Sequence, residues 1–189
     1  MKDKILIGLS GGVDSSVSLK ILKDKGYQVE ALYMKNWDED DYQQGCNAKE
    51  DLEYAYDVCN KLDVKLNKAN FSDEYWNKIF TKFLDSYKSG YTPNPDILCN
   101  KYIKFRVFIE HAKKLGFDKV ATGHYAKIVK KNNYLYLKVP LDLAKDQTYF
   151  LHSLDQKQLS NVIFPLSDIT KQNVKKIAEV NGFKSFKKK

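Results

Sequence analysis

The string Ser10-Gly11-Gly12-Val13-Asp14-Ser15-Ser16 constrains this chain more than any other stretch. The apolar run Ile5-Leu6-Ile7-Gly8-Leu9 precedes it, and Val17-Ser18-Leu19-Lys20-Ile21-Leu22 follows. A short, unbroken apolar run reads as a strand buried on both faces, as in parallel sheets. The following segment puts Val17, Ile21 and Leu22 on one helical face and stops at Gly26. Between strand and helix, Gly11 and Gly12 can take positive φ and let backbone amides approach a ligand closely. The free N–H groups of the first helical turn point into the same loop, and Ser10, Ser15 and Ser16 add hydroxyl donors. The combination makes a site for a polyphosphate. The plain alternative is a tight turn with a serine cap, and Asp14 could equally cap the helix. The string lacks both the Gly-Lys-Ser/Thr of a Walker loop and the third glycine of a dinucleotide fingerprint.

A chain of 189 residues can bury one good core, as one domain and the start of another. No stretch is apolar enough to cross a membrane, and Met1-Lys2-Asp3-Lys4 runs into a strand rather than a signal peptide. Cys46, Cys59 and Cys99 show no paired metal spacing, so no metal site is expected and reduced thiols in a cytoplasm are the simplest reading. The net charge is +8, of which seven lysines and one glutamate between Lys171 and Lys189 carry +6. Such a basic tail can hold RNA by counterion release or be a solvated helix and end. With Arg106 the single arginine, bidentate phosphate forks will be scarce.

Further along, 27–34 reads as a second strand ending at Met34, where ligands collect in an open α/β sheet, although a methionine there can be plain packing. The loop 35–47 carries Trp37-Asp38-Glu39-Asp40-Asp41, which reads as a solvated acidic loop rather than a cation site. A helix over 48–62 puts Cys59 on its apolar face, and 63–69 is a third strand nearer an edge. Ser72 is expected to cap a helix with Asp73 and Glu74 in its first turn.

In Thr92-Pro93-Asn94-Pro95-Asp96-Ile97-Leu98-Cys99-Asn100, two prolines stiffen the loop and place Cys99 near a helix start. A thiol there is expected to have a lowered pKa, with Asp96 an acid/base within reach; the alternative is a Pro-rich turn with a half-buried cysteine. Lys119-Val120-Ala121-Thr122 is a fourth strand, with Gly123-His124-Tyr125 at its carboxyl end, and His124 is either a site residue or packing. Residues 126–130 and 134–139 form a hairpin about Asn132-Asn133. Lys145, Asp146 and Gln147 contact a polar ligand or start a helix, and a last helix runs over 170–180.

Taken together, these stretches resemble one family, the tRNA-specific 2-thiouridylases. The matching motifs are Gly8–Ser16 with its S-G-G-V-D-S, Met34-Lys35-Asn36-Trp37, Thr92–Asn100, Ala121-Thr122-Gly123-His124-Tyr125 and Lys145–Leu151, colinear along nearly the whole chain. The first loop also resembles the pyrophosphate loop of ATP pyrophosphatases generally, whereas the Asn-Pro-Asp-Ile-Leu-Cys-Asn string is more specific. The resemblance implies an α/β, Rossmann-like (adenine nucleotide alpha hydrolase-like) parallel sheet flanked by helices, with a small β-hairpin insertion. It implies a catalytic ATP domain over 1–163 and a helical connector over 164–189.

The same resemblance implies that ATP binds at Gly8, Leu9, Ser10, Gly11, Gly12, Val13, Asp14 and Ser15, with Met34 and Gly123 around the adenosine and Asp14 on magnesium-bound pyrophosphate. The wobble uridine of a Lys, Glu or Gln tRNA would meet Asn94, Pro95 and Asp96, while His124, Lys145, Asp146 and Gln147 contact the tRNA. Adenylation of the uridine C2 oxygen is followed by sulfur transfer from a cysteine persulfide fed by a sulfur-relay donor protein. Cys99 matches the nucleophile and Asp96 an acid/base. The family's persulfide cysteine, in a D-S-T-G-I-C-type motif, has no match here, and neither do the two β-rich domains that complete its tRNA grip. Cys46 and Cys59 are misplaced to substitute. The expectation is a chain that binds ATP without completing thiolation alone.

Overall fold

The computed structural model describes residues 2–36 and 48–187. Five parallel strands form the central sheet in the order β3-β2-β1-β4-β7: β1 (Lys4–Gly8), β2 (Gln28–Lys35), β3 (Leu66–Asn70), β4 (Lys119–Ala121) and β7 (Val162–Ile163). β1 is central, pairing Ile7 with Ala31 of β2 on one side and with Ala121 of β4 on the other. The chain steps outward from β1 through β2 to β3 and then returns to β1's other side. The strand order therefore reverses between β1 and β4, and their carboxyl ends form the switch point where such sheets bind ligands. This is the Rossmann-like α/β sheet expected.

Alternation along β1 divides the core into two layers. Ile5 and Ile7 pack with Val17 and Leu22 of α1 (Val13–Asp24), Ala55 and Cys59 of α2 (Ala48–Leu62), and Val174 and Ala178 of α8 (Lys171–Val180). Leu6 faces the other layer, with Ile79, Ile103, Phe105, Phe108 and Ala112. Cys59 is buried, and burial pushes its thiol up to about 11, so it is core as expected. The segment after residue 163 joins the first layer: Leu166, Val174, Ala178 and Phe183 are buried there, and the Ser185 hydroxyl donates to Ser16 Oγ at 3.4 Å.

The second layer is built from two interrupted helices. The first runs through α3 (Ser72–Tyr75), a π-helical segment Trp76–Phe80 and α4 (Thr81–Lys88). Ser72 is its first residue rather than its cap, and Asn70 Oδ1 accepts the Ser72 N–H at 2.9 Å. The second runs through α5 (Pro95–Cys99), a π-helical segment Asn100–Val107 and α6 (Phe108–Lys114). Asn94 caps it, accepting from the Asp96 N–H at 2.9 Å, with Pro95 at the first helical position where no N–H is needed.

In these segments the backbone bonds run i→i+5. Gln158 of α7 (Gln156–Ser160) ties the second one down: its Nε2 donates to the carbonyls of Lys101 at 3.0 Å and Phe105 at 2.9 Å. The hairpin β5 (Lys127–Lys131) and β6 (Tyr134–Lys138) turns at Asn132 and Asn133, both at positive φ as a two-residue turn requires. Where one helix is expected after Asp142, the structure has two short 3-10 turns, Leu143–Lys145 and Thr148–Phe150. The third strand is shorter than expected, because Asp63 takes positive φ and the chain pairs with β2 only from Leu66. The short α7 and the two-residue β7 carry no sequence periodicity long enough to announce them. Trp37, the acidic run Asp38–Asp41 and Cys46 lie outside the described residues.

Candidate nucleotide site

The turn between β1 and α1 is fixed by its backbone. Gly11 has φ +77°, and a Cβ on it would collide with the carbonyl of Asp51 in the first turn of α2. Gly12, not Asp14, occupies the cap position of α1, and no side chain caps it. The hydroxyls of Ser15 and Ser16 donate to the Gly12 carbonyl at 3.0 and 2.8 Å, and Ser10 Oγ lies 3.2 Å from Ser15 Oγ. Ser16 is fully buried and spends its hydroxyl inside the fold, so only Ser10 and Ser15 face the cleft.

Asp14 is freed from capping and held by two residues from distant segments. Lys171 Nζ donates to both its carboxylate oxygens at 2.6 and 2.7 Å, and the Tyr125 hydroxyl donates to it at 3.0 Å. Burial, with the Asp14 charge second, raises the Tyr125 phenol far above its ordinary range, so it stays a donor. Gln147 in turn clamps Tyr125: its Oε1 accepts the Tyr125 N–H at 2.9 Å, and its own N–H donates to the Tyr125 carbonyl at 3.1 Å. Asp146 accepts from the Thr148 N–H and hydroxyl, shaping the 3-10 turn that presents Gln147. Lys145 is exposed at the end of the preceding turn.

The carboxyl end of β4 closes the other side. A Cβ on Gly123 would lie 2.8 Å from the Ser15 backbone nitrogen, so only glycine lets this chain lie against the head of α1. His124 follows with its Nδ1 2.8 Å from the Thr122 hydroxyl and its ring between Phe105 and Phe164, at centroid distances of 5.7 and 6.2 Å. Burial, helped by the nearby Lys104 charge, lowers the imidazole to about 3, so His124 is a neutral wall of the site.

These residues enclose a cleft of about 270 Å³ lined by Gly8, Leu9, Ser10, Asp14 and Ser15, by Met34 and Asn36, by Thr122, Gly123 and His124, and by Gln147 and Lys104. Of the residues expected to hold nucleotide, only the turn residues Gly11, Gly12 and Val13 do not line it. Asn36 brings a buried Oδ1 with no hydrogen-bond partner among the described residues. A larger hollow of about 340 Å³ lies elsewhere, lined by Tyr102, Phe105, Arg106 and Gln158, with no residue of the β1–α1 turn in it.

Cys99 corrects one expectation. It is the last residue of α5, a full turn past the helix start, and it packs half-buried against the second core layer, near Tyr75. Burial raises its thiol and Asp96 adds to the rise, while Lys104 acts the other way. The dipole reaches strongly only into the first turn, so it does not hold this sulfur as a thiolate. Asn94, Pro95, Asp96 and Cys99 do not line the cleft, but the field of Lys104 reaches both Cys99 and His124. The sequence assigns no role of their own to Lys104, Tyr125, Asn36 and Lys171. Asn36 and Tyr125 stand inside family motifs, Lys171 belongs to the basic tail, and nothing local marks Lys104.

A family described as the tRNA methyl transferase HUP domain matches residues 3–189. The chain belongs to this family. Within it, the chain is 59% identical to a tRNA-specific 2-thiouridylase MnmA of Vesicomyosocius okutanii, over 98% of this chain and 51% of that protein. It is 50% identical to the protein of the same name from Legionella pneumophila (strain Paris), over 100% of this chain and 52% of that protein. The chain thus spans about half the length of the curated relatives it matches. The family resemblance in the motifs is borne out.

Solved structures similar in fold include a glutamine-dependent NAD+ synthetase from Acinetobacter baumannii in complex with ADP. That match has a TM-score of 0.58 and 16% identity, over 95% of this chain and 29% of that one. A predicted subunit of tRNA methyltransferase from Methanocaldococcus jannaschii matches with a TM-score of 0.54 and 17% identity, over 94% of this chain and 76% of that one. At these identities the likeness concerns the fold.

Proposed function

We propose that this chain is the nucleotide-binding, base-activating part of a tRNA-uridine 2-sulfurtransferase. The supporting observation is the cleft at the switch point, where four of the five family motifs, separate in sequence, converge beside a fully built phosphate loop. ATP lies with its pyrophosphate over the loop amides and the head of α1, and its adenosine toward Met34, Asn36 and Gly123. Among the described residues no three acids, histidines or cysteines come together to hold a metal. A Mg²⁺ arriving with ATP would be held mainly by phosphate oxygens and water, with Asp14, whose carboxylate also accepts from Lys171 and Tyr125, the one acid among the described residues lining the cleft.

The wobble uridine of a Lys, Glu or Gln tRNA enters along Asn94, Pro95 and Asp96, with His124, Lys145, Asp146 and Gln147 on the tRNA side. Its C2 oxygen attacks the α-phosphorus, the bond to the bridging oxygen breaks, and the electron pair leaves on pyrophosphate. Asp96 takes the N3 proton. Adenylation makes the C2 oxygen a good leaving group, AMP, which sulfur from a persulfide displaces. Cys99 attacks the inner sulfur of that persulfide, closing a disulfide with the carrier cysteine and leaving the outer sulfur on C2; a relay protein in the cytoplasm charges the carrier. Identity of 50–59% to proteins named for this activity supports the same reading.

Exchange of labelled pyrophosphate into ATP tests the proposal. The expected result is exchange that requires unmodified tRNA. Exchange driven by an amino or carboxyl metabolite instead, or none with any tRNA, overturns it.

A further inference from the structure

Lys104 stands apart from the other lysines of this chain. It lies in the π-helical segment Asn100–Val107, half-buried rather than splayed into solvent. Among the described residues it is the only cation lining the cleft, and its ammonium makes no hydrogen bond or ion pair there. The acid of the cleft, Asp14, is already balanced by Lys171, which does not line it. Taking an ammonium partly out of water without a counter-charge is unfavourable, and folds keep such a group where a ligand supplies the charge.

The local helix explains how it gets there. In an α-helix residues five apart diverge around the axis, whereas i→i+5 bonding brings them onto one face. Cys99 and Lys104 are five apart, and the π-helical segment begins directly after Cys99. The widened register thus turns Lys104 toward both the sulfur and the cleft. Gln158 ties that segment down, its Nε2 donating to the carbonyls of Lys101 and Phe105.

We propose that Lys104 is a catalytic residue of this site, contacting first the phosphate that stays with the adenosine and then the sulfur of Cys99. This deepens the nucleotide reading and rests on it. With the β- and γ-phosphates in the glycine loop, the remaining phosphate has one cation in the cleft lining to meet. Charge moving onto the departing pyrophosphate and onto AMP is met by a donor already in place, without solvent reorganisation. Once AMP leaves, the same ammonium faces Cys99, whose one other charged neighbour among the described residues, Asp96, opposes a negative sulfur.

Two readouts on Lys104→Gln test this, with Lys104→Arg as the charge-keeping control. By calorimetry, AMP binding weakens roughly tenfold in Lys104→Gln, the worth of one charge-assisted hydrogen bond, while inorganic pyrophosphate binds as in the unaltered chain. Alkylation of Cys99 by iodoacetamide at pH 8, followed on its own peptide by mass spectrometry, slows roughly threefold or more as the thiolate loses its nearby cation. Lys104→Arg restores most of both. Unchanged AMP affinity together with an unchanged Cys99 rate in Lys104→Gln overturns the inference and leaves the nucleotide reading standing. An unaltered chain that binds neither AMP nor pyrophosphate sinks that reading as well, and the two failures are distinct.

Discussion

Lys171 and Tyr125 hold Asp14 from segments 157 and 111 positions away in sequence. The ion pair is part-exposed, with side-chain accessibilities of 24% and 36%, so its own stabilisation is about 0.2–1 kcal/mol. Lys171→Met should therefore lower thermal stability only slightly, while Tyr125→Phe removes a buried donor and costs about 1 kcal/mol. A double-mutant cycle on the melting temperature checks whether the two act as one cluster around Asp14.

His124 carries a pH dependence with a definite sign. Its folded pKa of about 3 lies below the unfolded value, so between the two the unfolded chain binds more protons. Stability is complete above about pH 6.5 and falls as the pH drops through that window. The charged group facing the imidazole is Lys104, which reinforces the effect. Melting temperatures at pH 7 and pH 5 should separate more in the unaltered chain than in His124→Asn. An equal separation would place the acid sensitivity elsewhere.

The two helices interrupted by π-helical segments are the elements whose geometry the function depends on. Helical periodicity does announce apolar residues from Ile103 to Ile109, yet it gives no hint that the register widens after Cys99. That widening is a tertiary choice, maintained across the molecule by Gln158. Gln158→Ala removes the side-chain donor shared by the Lys101 and Phe105 carbonyls and should cost about 1–3 kcal/mol, a fall of roughly 2–4 °C in melting temperature for each kcal/mol. The lesion should also move Lys104, so AMP affinity falls with stability. A Gln158→Ala chain that melts as before would mean the segment holds its register unaided.

At the scale of the molecule, the sheet and its ligand edge were legible because they depend on local signals. The run Ile5–Leu9, the glycines of the loop and the stops at Gly26 and Asn132-Asn133 each have one cheap conformation. The ends of β2 and β4 placed Met34, Gly123 and His124 at the cleft for the same reason. What stayed hidden depends on contacts across the chain: Lys171 on Asp14, Gln147 on Tyr125, Asn36 with its unpartnered oxygen. The Cys99 expectation failed for a related cause, since Pro95 starts the helix a turn earlier than the cysteine and burial outweighs the dipole. No described helix is long and apolar enough to cross a membrane, and the segment after residue 163 shares a core with α1 instead of hanging free.

The central claim is that the glycine turn between β1 and α1 grips the phosphates of ATP. Gly11→Ala adds a side chain at φ +77° against the Asp51 carbonyl, and the strained loop can no longer offer its amides. Titration of ATP with Mg²⁺ into the unaltered chain and into Gly11→Ala, both checked for a folded core by circular dichroism, is the direct measurement. The account predicts a single site in the unaltered chain and its loss in a folded Gly11→Ala. ATP binding of equal strength to both, or to neither, would contradict it.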